Sequence, residues 1–301
     1  MKHVGKSYDK VDAKGILSGK PSYTGDFVPK DALIIKVLRS PHAQARIKSI
    51  DTSKAKLIPG VEAIFTYEDV PNTRFTLAGQ TYPEPSAYDA LILDPVVRYV
   101  GDEVALVVAK DEATALKAMP LIKVEYEVQK PVLDLRTAMD HETVVHPEDD
   151  ILNHIPVGQD YKRNICVSYH KRVGDIEAEL AKCDYVVEGT YFDQATRQSA
   201  MEPFQSFGYI DHLGRIVIVS STQIVFHVRR HIARALGIPA SKIRVIKPRI
   251  GGGFGSKQTA CTELMTAFVT WKLQKPCYLL YDRTEAQTCS TTRHAREWYI
   301  R

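Results

Sequence analysis

Four glycines fall within five positions, Gly251, Gly252, Gly253 and Gly255, with Phe254 among them and Ser256-Lys257-Gln258 immediately after. A turn stripped of side chains lets backbone N–H groups approach a partner closely. The strand-like run Ile243-Arg244-Val245-Ile246 precedes this turn, and a helix-like run from about Thr259 to Leu273 follows it. Such strand-to-helix junctions commonly hold anionic cofactors, because a helix N-terminus offers unpaired amides and the positive end of a dipole. Spacing narrows what the turn holds. A dinucleotide fingerprint needs glycine at its first, third and sixth positions. Counted from Gly251 the sixth position is Ser256, and counted from Gly253 it is Gln258. A P-loop needs Gly-Lys-Ser/Thr at its end, whereas here Lys257 stands between Ser256 and Gln258. A kinase glycine loop lies in a hairpin, and here a helix follows. The bland alternative is a turn that merely lets helix and sheet approach each other.

Other reactive residue types give weaker patterns. Ser221-Thr222-Gln223 ends a buried-type strand and opens a predicted helix, where a hydroxyl can cap; Gln223 alone reads as a polar residue of a first helical turn. His227 and His231 stand four apart on that helix, the spacing of a two-histidine metal pair. No glutamate follows His227, and Arg229 and Arg230 lie between them, so the expectation is a solvated helix face and no direct metal ligand. The five cysteines (Cys166, Cys183, Cys261, Cys277, Cys289) match no zinc or CxxC spacing and read as reduced, mostly packed thiols.

The elements that must position these residues follow from pattern. The chain has 301 residues, 44% hydrophobic and 25% charged, which suits a globular protein of about two domains. A net charge of +4 from scattered basic residues gives no nucleic-acid footprint. No apolar run reaches the roughly 18 residues of a membrane span, and Met1 to Lys6 has no hydrophobic leader, so the expectation is a cytoplasmic protein. Strands are expected at Ala32–Leu38, Ala45–Ile50, Val61–Thr66 and Ile122–Val128, with a Gly101-Asp102 turn pairing Val96–Val100 to Glu103–Ala109. The 71–91 stretch is irregular, and 131–160 carries Pro131, Pro147, Pro156 and the acidic run Glu148-Asp149-Asp150, read as a solvated connection. Beyond it come a helix at Asp175–Lys182, strands at Tyr185–Phe192, Phe207–Ile210 and Ile216–Ser220, and an Asp211-His212-Leu213-Gly214 hairpin turn. Ile224, Val228, Ile232 and Leu236 then lie on one helix face that stops at Gly237.

Gly251-Gly252-Gly253-Phe254-Gly255-Ser256-Lys257 resembles the molybdenum-cofactor loop of the xanthine dehydrogenase/aldehyde oxidase family, commonly Gly-Gly-Gly-Phe-Gly-Gly-Lys. Ser221-Thr222-Gln223 matches the family's Ser-Thr-Gln segment at the same separation from the loop, and Met201-Glu202-Pro203 its Met-Glu-Pro segment. Ser40-Pro41-His42, Pro59-Gly60-Val61, Val97-Arg98-Tyr99-Val100-Gly101-Asp102 and Val124-Glu125-Tyr126-Glu127 resemble its N-terminal hammerhead, so the likeness covers nearly the whole chain. The bacterial molybdenum-binding subunits are the members most similar.

The resemblance implies an α+β fold: an α/β hammerhead domain over 1–137, a linker over 138–160, and over 161–301 the first part of the molybdenum-cofactor-binding α+β domain. It implies a molybdopterin cofactor, as its cytosine dinucleotide, held by Gly252, Gly253, Phe254 and Gly255. Gln223, at a strand end where side chains project into a cleft, would offer its amide to an oxo ligand of the molybdenum, and Glu202 would be a structural hydrogen-bond partner. Gln258 would contact substrate, where animal-type relatives carry glutamate; a glutamine donates and accepts but shuttles no proton. Gln198 replaces a common histidine and Ser256 a common glycine. The implied chemistry is oxidative hydroxylation of a purine, an aldehyde or another N-heterocycle at an electron-poor carbon. Electrons would pass to 2Fe-2S clusters and FAD on an Fe-S subunit and an FAD subunit, the complex forming a homo-oligomer with no nucleic-acid or membrane partner. A non-catalytic assembly module is the competing expectation. The family's catalytic glutamate lies beyond the point matching Arg301, so the expectation is a piece of a molybdenum subunit, inactive without its remaining segment. Arg293–Arg301 reads as the start of a strand with no closing element.

Overall fold

A computed structural model describes residues 2–20, 22–77 and 81–301; Met1 and the part of the irregular 71–91 stretch at 78–80 lie outside them. Among the described residues twelve strands run in order: β1 (Leu33–Arg39), β2 (Ala45–Asp51), β3 (Val61–Phe65), β4 (Val96–Val97), β5 (Glu103–Ala109), β6 (Lys123–Val128), β7 (Gly189–Asp193), β8 (Gln205–Ile210), β9 (Ile216–Ser220), β10 (Ile243–Ile246), β11 (Cys277–Leu280) and β12 (Arg296–Ile300). The helices are α1 (Ala13–Leu17), α2 (Ser53–Lys56), α3 (Glu112–Ala118), α4 (Ile176–Leu180), α5 (Val225–Leu236), α6 (Glu263–Leu273) and α7 (Arg283–Thr288).

One seven-stranded sheet, ordered β10-β9-β8-β11-β1-β5-β3, takes strands from both sides of the 138–160 stretch. Its seam is the parallel pairing of β1 with β11, where Leu33, Ile34 and Ile35 face Cys277, Tyr278 and Leu279. The core runs through it, joining Ile35, Leu106 and Phe75 to Ile218, Ile232 and Phe268. Mixed sheets flanked by helices make the fold α+β, as expected from the pattern.

Several expected elements form for the reasons read from sequence. Asp211 Oδ1 accepts the N–H groups of Leu213 and Arg215, each at 2.9 Å, and turns β8 into antiparallel β9. α5 buries Val228, Ile232 and Leu236 and ends on Gly237 at φ +65°. α6 lies so close to β8 that a β-carbon on Gly208 would sit 2.3 Å from Thr270 Oγ1.

Other expectations are corrected. β4 pairs with β2, not with β5. β5 is buried along nearly its whole length and takes β1 and β3 as its neighbours, and the Gly101-Asp102 turn carries the chain from one sheet to another. The Asp102 carboxylate closes that turn by accepting the Arg98 N–H at 2.7 Å. α6 starts at Glu263 rather than near Thr259, because Ser256–Gln258 form a single 3-10 turn and Thr259 is extended. β7 starts at Gly189, not Tyr185. β12 does have a partner: it pairs antiparallel with β7.

The acidic run is not simply solvated. Glu148 is largely buried and takes an ion pair from Arg98, which also donates to Asp94 at 2.9 Å. Burial would raise the Glu148 carboxyl, but the His146 imidazole, 3.5 Å from its Oε2, and the Arg98 charge outweigh it and hold the group down at about 2. Nor is the histidine pair on a wet face: His231 is buried, with its Nε2 3.8 Å from the buried Glu84 carboxylate, and His227 Nδ1 lies 2.8 Å from the Arg230 guanidinium. Cys277 and Cys289 are buried, Cys261 is partly so, and Cys166 and Cys183 are exposed.

Candidate cofactor cradle

β10 delivers the chain to Gly251, and the glycine turn then meets two segments from elsewhere in the fold. The first is Ala200 to Gln205, which leads into β8. Glu202 grips Gly251 twice: its N–H donates to the Gly251 carbonyl at 3.0 Å, and its Oε2 accepts the Gly251 N–H at 2.6 Å. No side chain fits there, since a β-carbon on Gly251 would lie 2.6 Å from Glu202 Cβ. The same Oε2 accepts Lys257 Nζ at 2.9 Å, and Oε1 accepts Gln205 Nε2 at 2.7 Å. Lys257 is 1% exposed, so a buried ammonium and carboxylate bridge both ends of the turn. Arg283 fixes the segment from behind, donating to the carbonyls of Ala200 at 2.7 Å and Met201 at 2.6 Å.

The second segment is Ser221-Thr222-Gln223, at the end of β9. The Gln223 N–H donates to the Lys257 carbonyl at 2.8 Å, and Thr222 Oγ1 accepts the Ile224 N–H at 3.1 Å, turning the chain into α5. This leaves the Gln223 carboxamide against Gly253, with Oε1 buried and accepting from no described residue.

The backbone of the turn is unusual in the same place. Gly252 and Gly255 have φ of +98° and +90°, and Phe254 sits at φ +52° and is 67% exposed. A left-handed aromatic residue carries strain that the surrounding contacts must offset. Ser256 ties the turn off, its N–H and Oγ both donating to the Gly253 carbonyl at 2.8 and 2.7 Å. The N–H groups of Gly252, Gly253, Phe254 and Gly255 donate to no described residue. Among the described residues these four successive amides have no acceptor, and no helix N-terminus adds to them, since α6 begins only at Glu263.

Beside the turn lies a cleft of about 740 Å³, lined among others by Gly255, Gln258, Tyr99, Arg197, Gln198 and His294. A β-carbon on Gly255 would meet nothing within 4 Å, so the turn is open there. Arg197 is committed, donating to the carbonyls of Ser290 and, at 3.2 Å, Thr288. Gly255 and Gln258 thus share the cleft, whereas Gln223 is not among its lining residues and stands with Gly253 instead. Sequence reasoning missed Tyr99, His294 and the Arg283 anchor, which come from segments whose proximity only the folded chain reveals.

An oxygen-rich anionic cofactor fits these residues: four unpaired amides, glycines whose side chains would collide with Glu202 or Gln223, and a buried carboxamide end without a partner. Rotating that carboxamide places its Nε2 donor at the same point.

Comparison with known proteins agrees. Residues 18–130 match the family described as aldehyde oxidase and xanthine dehydrogenase, a/b hammerhead domain, and residues 157–301 match the molybdopterin cofactor-binding domain. The chain is 39% identical to the probable hypoxanthine oxidase XdhD of Escherichia coli K12, over 97% of this chain and 33% of that protein. It is 36% identical to the putative xanthine dehydrogenase molybdenum-binding subunit XdhA of the same organism, over 95% of this chain and 37% of that one. Among solved structures, quinoline 2-oxidoreductase of Pseudomonas putida 86 superposes with a TM-score of 0.78 at 30% identity, covering 94% of this chain and 35% of that chain. The chain spans about a third of the length of these relatives.

Proposed function

Because the chain belongs to the xanthine dehydrogenase/aldehyde oxidase family, we propose that it forms the first cofactor-binding wall of a cytoplasmic molybdenum hydroxylase acting on a purine of the hypoxanthine or xanthine type. Residues 1–137 are taken as the hammerhead, 138–160 as the connection and 161–301 as the first part of the cofactor domain. The observation that carries the reading is the run of four N–H groups from Gly252 to Gly255 with no acceptor among the described residues, beside the buried Gln223 carboxamide.

In this reading Gly252, Gly253, Phe254 and Gly255 would hold molybdopterin, in its cytosine dinucleotide form, through the backbone, and Gln223 would hold it through its carboxamide. The bound cofactor supplies the oxidative hydroxylation, with electrons leaving to 2Fe-2S clusters and FAD on partner subunits. The chain's own residues orient. The open side of Gly255 lets a flat ring enter the cleft, and Gln258 meets the ring edge with one donor and one acceptor, the complement of a lactam. No residue of this chain is given the role of the base in this reading.

The test is the assembled enzyme, analysed for molybdenum and pterin and offered hypoxanthine, xanthine, nicotinate and an aromatic aldehyde. Stoichiometric cofactor with purine turnover is expected. Absence of both metal and pterin would overturn the cofactor reading; turnover of the aldehyde alone would overturn the purine assignment.

A further inference from the structure

We propose that Glu202 is the positioning residue of the cradle, setting the conformation of the glycine turn and, through Lys257, the placement of Gln223; this rests on the cofactor reading above. Three contacts carry the inference. Glu202 Oε2 sits between the first amide of the turn, at 2.6 Å, and the ammonium at its far end, at 2.9 Å, so one oxygen sets the span of the whole loop. The carbonyl of that same Lys257 accepts the Gln223 N–H at 2.8 Å, so the charge pair and the carboxamide share a residue. Finally, Glu202 Oε1 is held by Gln205 Nε2 at 2.7 Å, and Gln205 Oε1 by the Tyr278 hydroxyl at 2.6 Å, which anchors the carboxylate to β8 and β11.

Glu202 does not line the cleft and is 9% exposed, so it meets no substrate. Its part is to hold the turn with its four amides unpaired. A neutral amide in its place can still accept from Gly251 but leaves the Lys257 ammonium buried without a counter-charge, which costs heavily. The turn then relaxes toward whatever satisfies the ammonium, and the Lys257 carbonyl moves with it.

The experiment uses the assembled enzyme with Glu202→Gln, Glu202→Asp, Lys257→Met and the Glu202→Gln/Lys257→Met pair. Molybdenum and pterin are counted per folded chain, and melting temperature is measured separately. For Glu202→Gln we expect cofactor per folded chain to fall at least fivefold. The double variant, having no unpaired charge, should recover most of the melting temperature without recovering the cofactor. Wild-type cofactor content in Glu202→Gln, or recovery of cofactor alongside melting temperature in the double variant, would overturn the proposal in favour of a purely structural ion pair. Should Glu202→Gln not fold, Glu202→Asp decides: its carboxylate is one methylene too short to reach both partners, so cofactor below half per folded chain supports the proposal and unchanged cofactor overturns it. A wild-type enzyme without molybdenum or pterin would instead sink the reading on which the proposal rests.

Discussion

A β-carbon on Gly253 would lie 2.6 Å from Gln223 Oε1. The carboxamide therefore occupies the space that any other residue at position 253 would fill, and the two positions specify each other. Gly253→Ala must push the carboxamide away while leaving the polypeptide able to fold. Removing one donor from a preorganised site costs on the order of 10²–10³ in kcat. Gly253→Ala and Gln223→Ala should each lower kcat of the assembled enzyme by about 10² and, combined, by little more than either alone. Steady-state kinetics of the three variants checks this, and fully additive losses would show the positions to act independently.

Gly208 is likewise a glycine whose side-chain space is already taken, here by α6. A methyl group there meets Thr270 Oγ1 at 2.3 Å, inside the layer between helix and sheet. Overpacking of this kind costs about 1–3 kcal/mol. Gly208→Ala should shift the urea midpoint accordingly, and adding Thr270→Ala should return part of the loss, because the two sites share one space. Equilibrium denaturation of the single and double variants measures both.

What could be read from the sequence divides along physical lines. Local signals held: Asp211 makes the hairpin it promises, and Gly237 ends α5. Pairing across long separations was not legible. Val96–Val97 joins β2 because β5, apolar after Glu103, finds neighbours on both sides in β1 and β3. Exposure of charged residues was misread for a related reason. Glu148 and His231 look solvated in isolation, yet Arg98 and Glu84 reach them from distant segments. At the candidate site, the residues named by the family resemblance do gather around one turn, whereas the Lys257 carbonyl that holds Gln223 is a backbone atom, invisible to residue type.

Glu148 gives a pH prediction with a definite sign. Its carboxyl is held at about 2 in the folded chain, below its ordinary value of 4.5. A group with a lowered folded-state value adds stability that is fully present above the unfolded value and is lost as pH falls through the folded one. The window is therefore pH 4.5 down to about 2. Replacing Glu148 by Gln should flatten the stability curve across that window and leave Arg98 short of a counter-charge at neutral pH. Urea midpoints at half-unit pH steps check it; parallel curves for wild type and variant would refute the assignment.

In the proposed reading, Gln258 sets what the cleft recognises. It shares the cleft wall with Gly255 and, as a neutral amide, presents a donor and an acceptor at any ordinary pH. A carboxylate in its place only accepts until it is protonated, so Gln258→Glu removes the donor above the carboxyl range and restores it below. A site built to hydrogen-bond a substrate edge discriminates strongly against a mismatched one, because its polar groups are then left unpaired. For the variant, kcat/KM with hypoxanthine should fall by about tenfold or more at pH 8 and recover partly toward pH 5, while the wild type shows no such limb. An aldehyde, lacking the lactam edge, should be affected equally little at both pH values. Substrate-by-pH kinetics of the assembled enzyme provides the check: a uniform loss across all substrates would place Gln258 against the cofactor rather than the substrate.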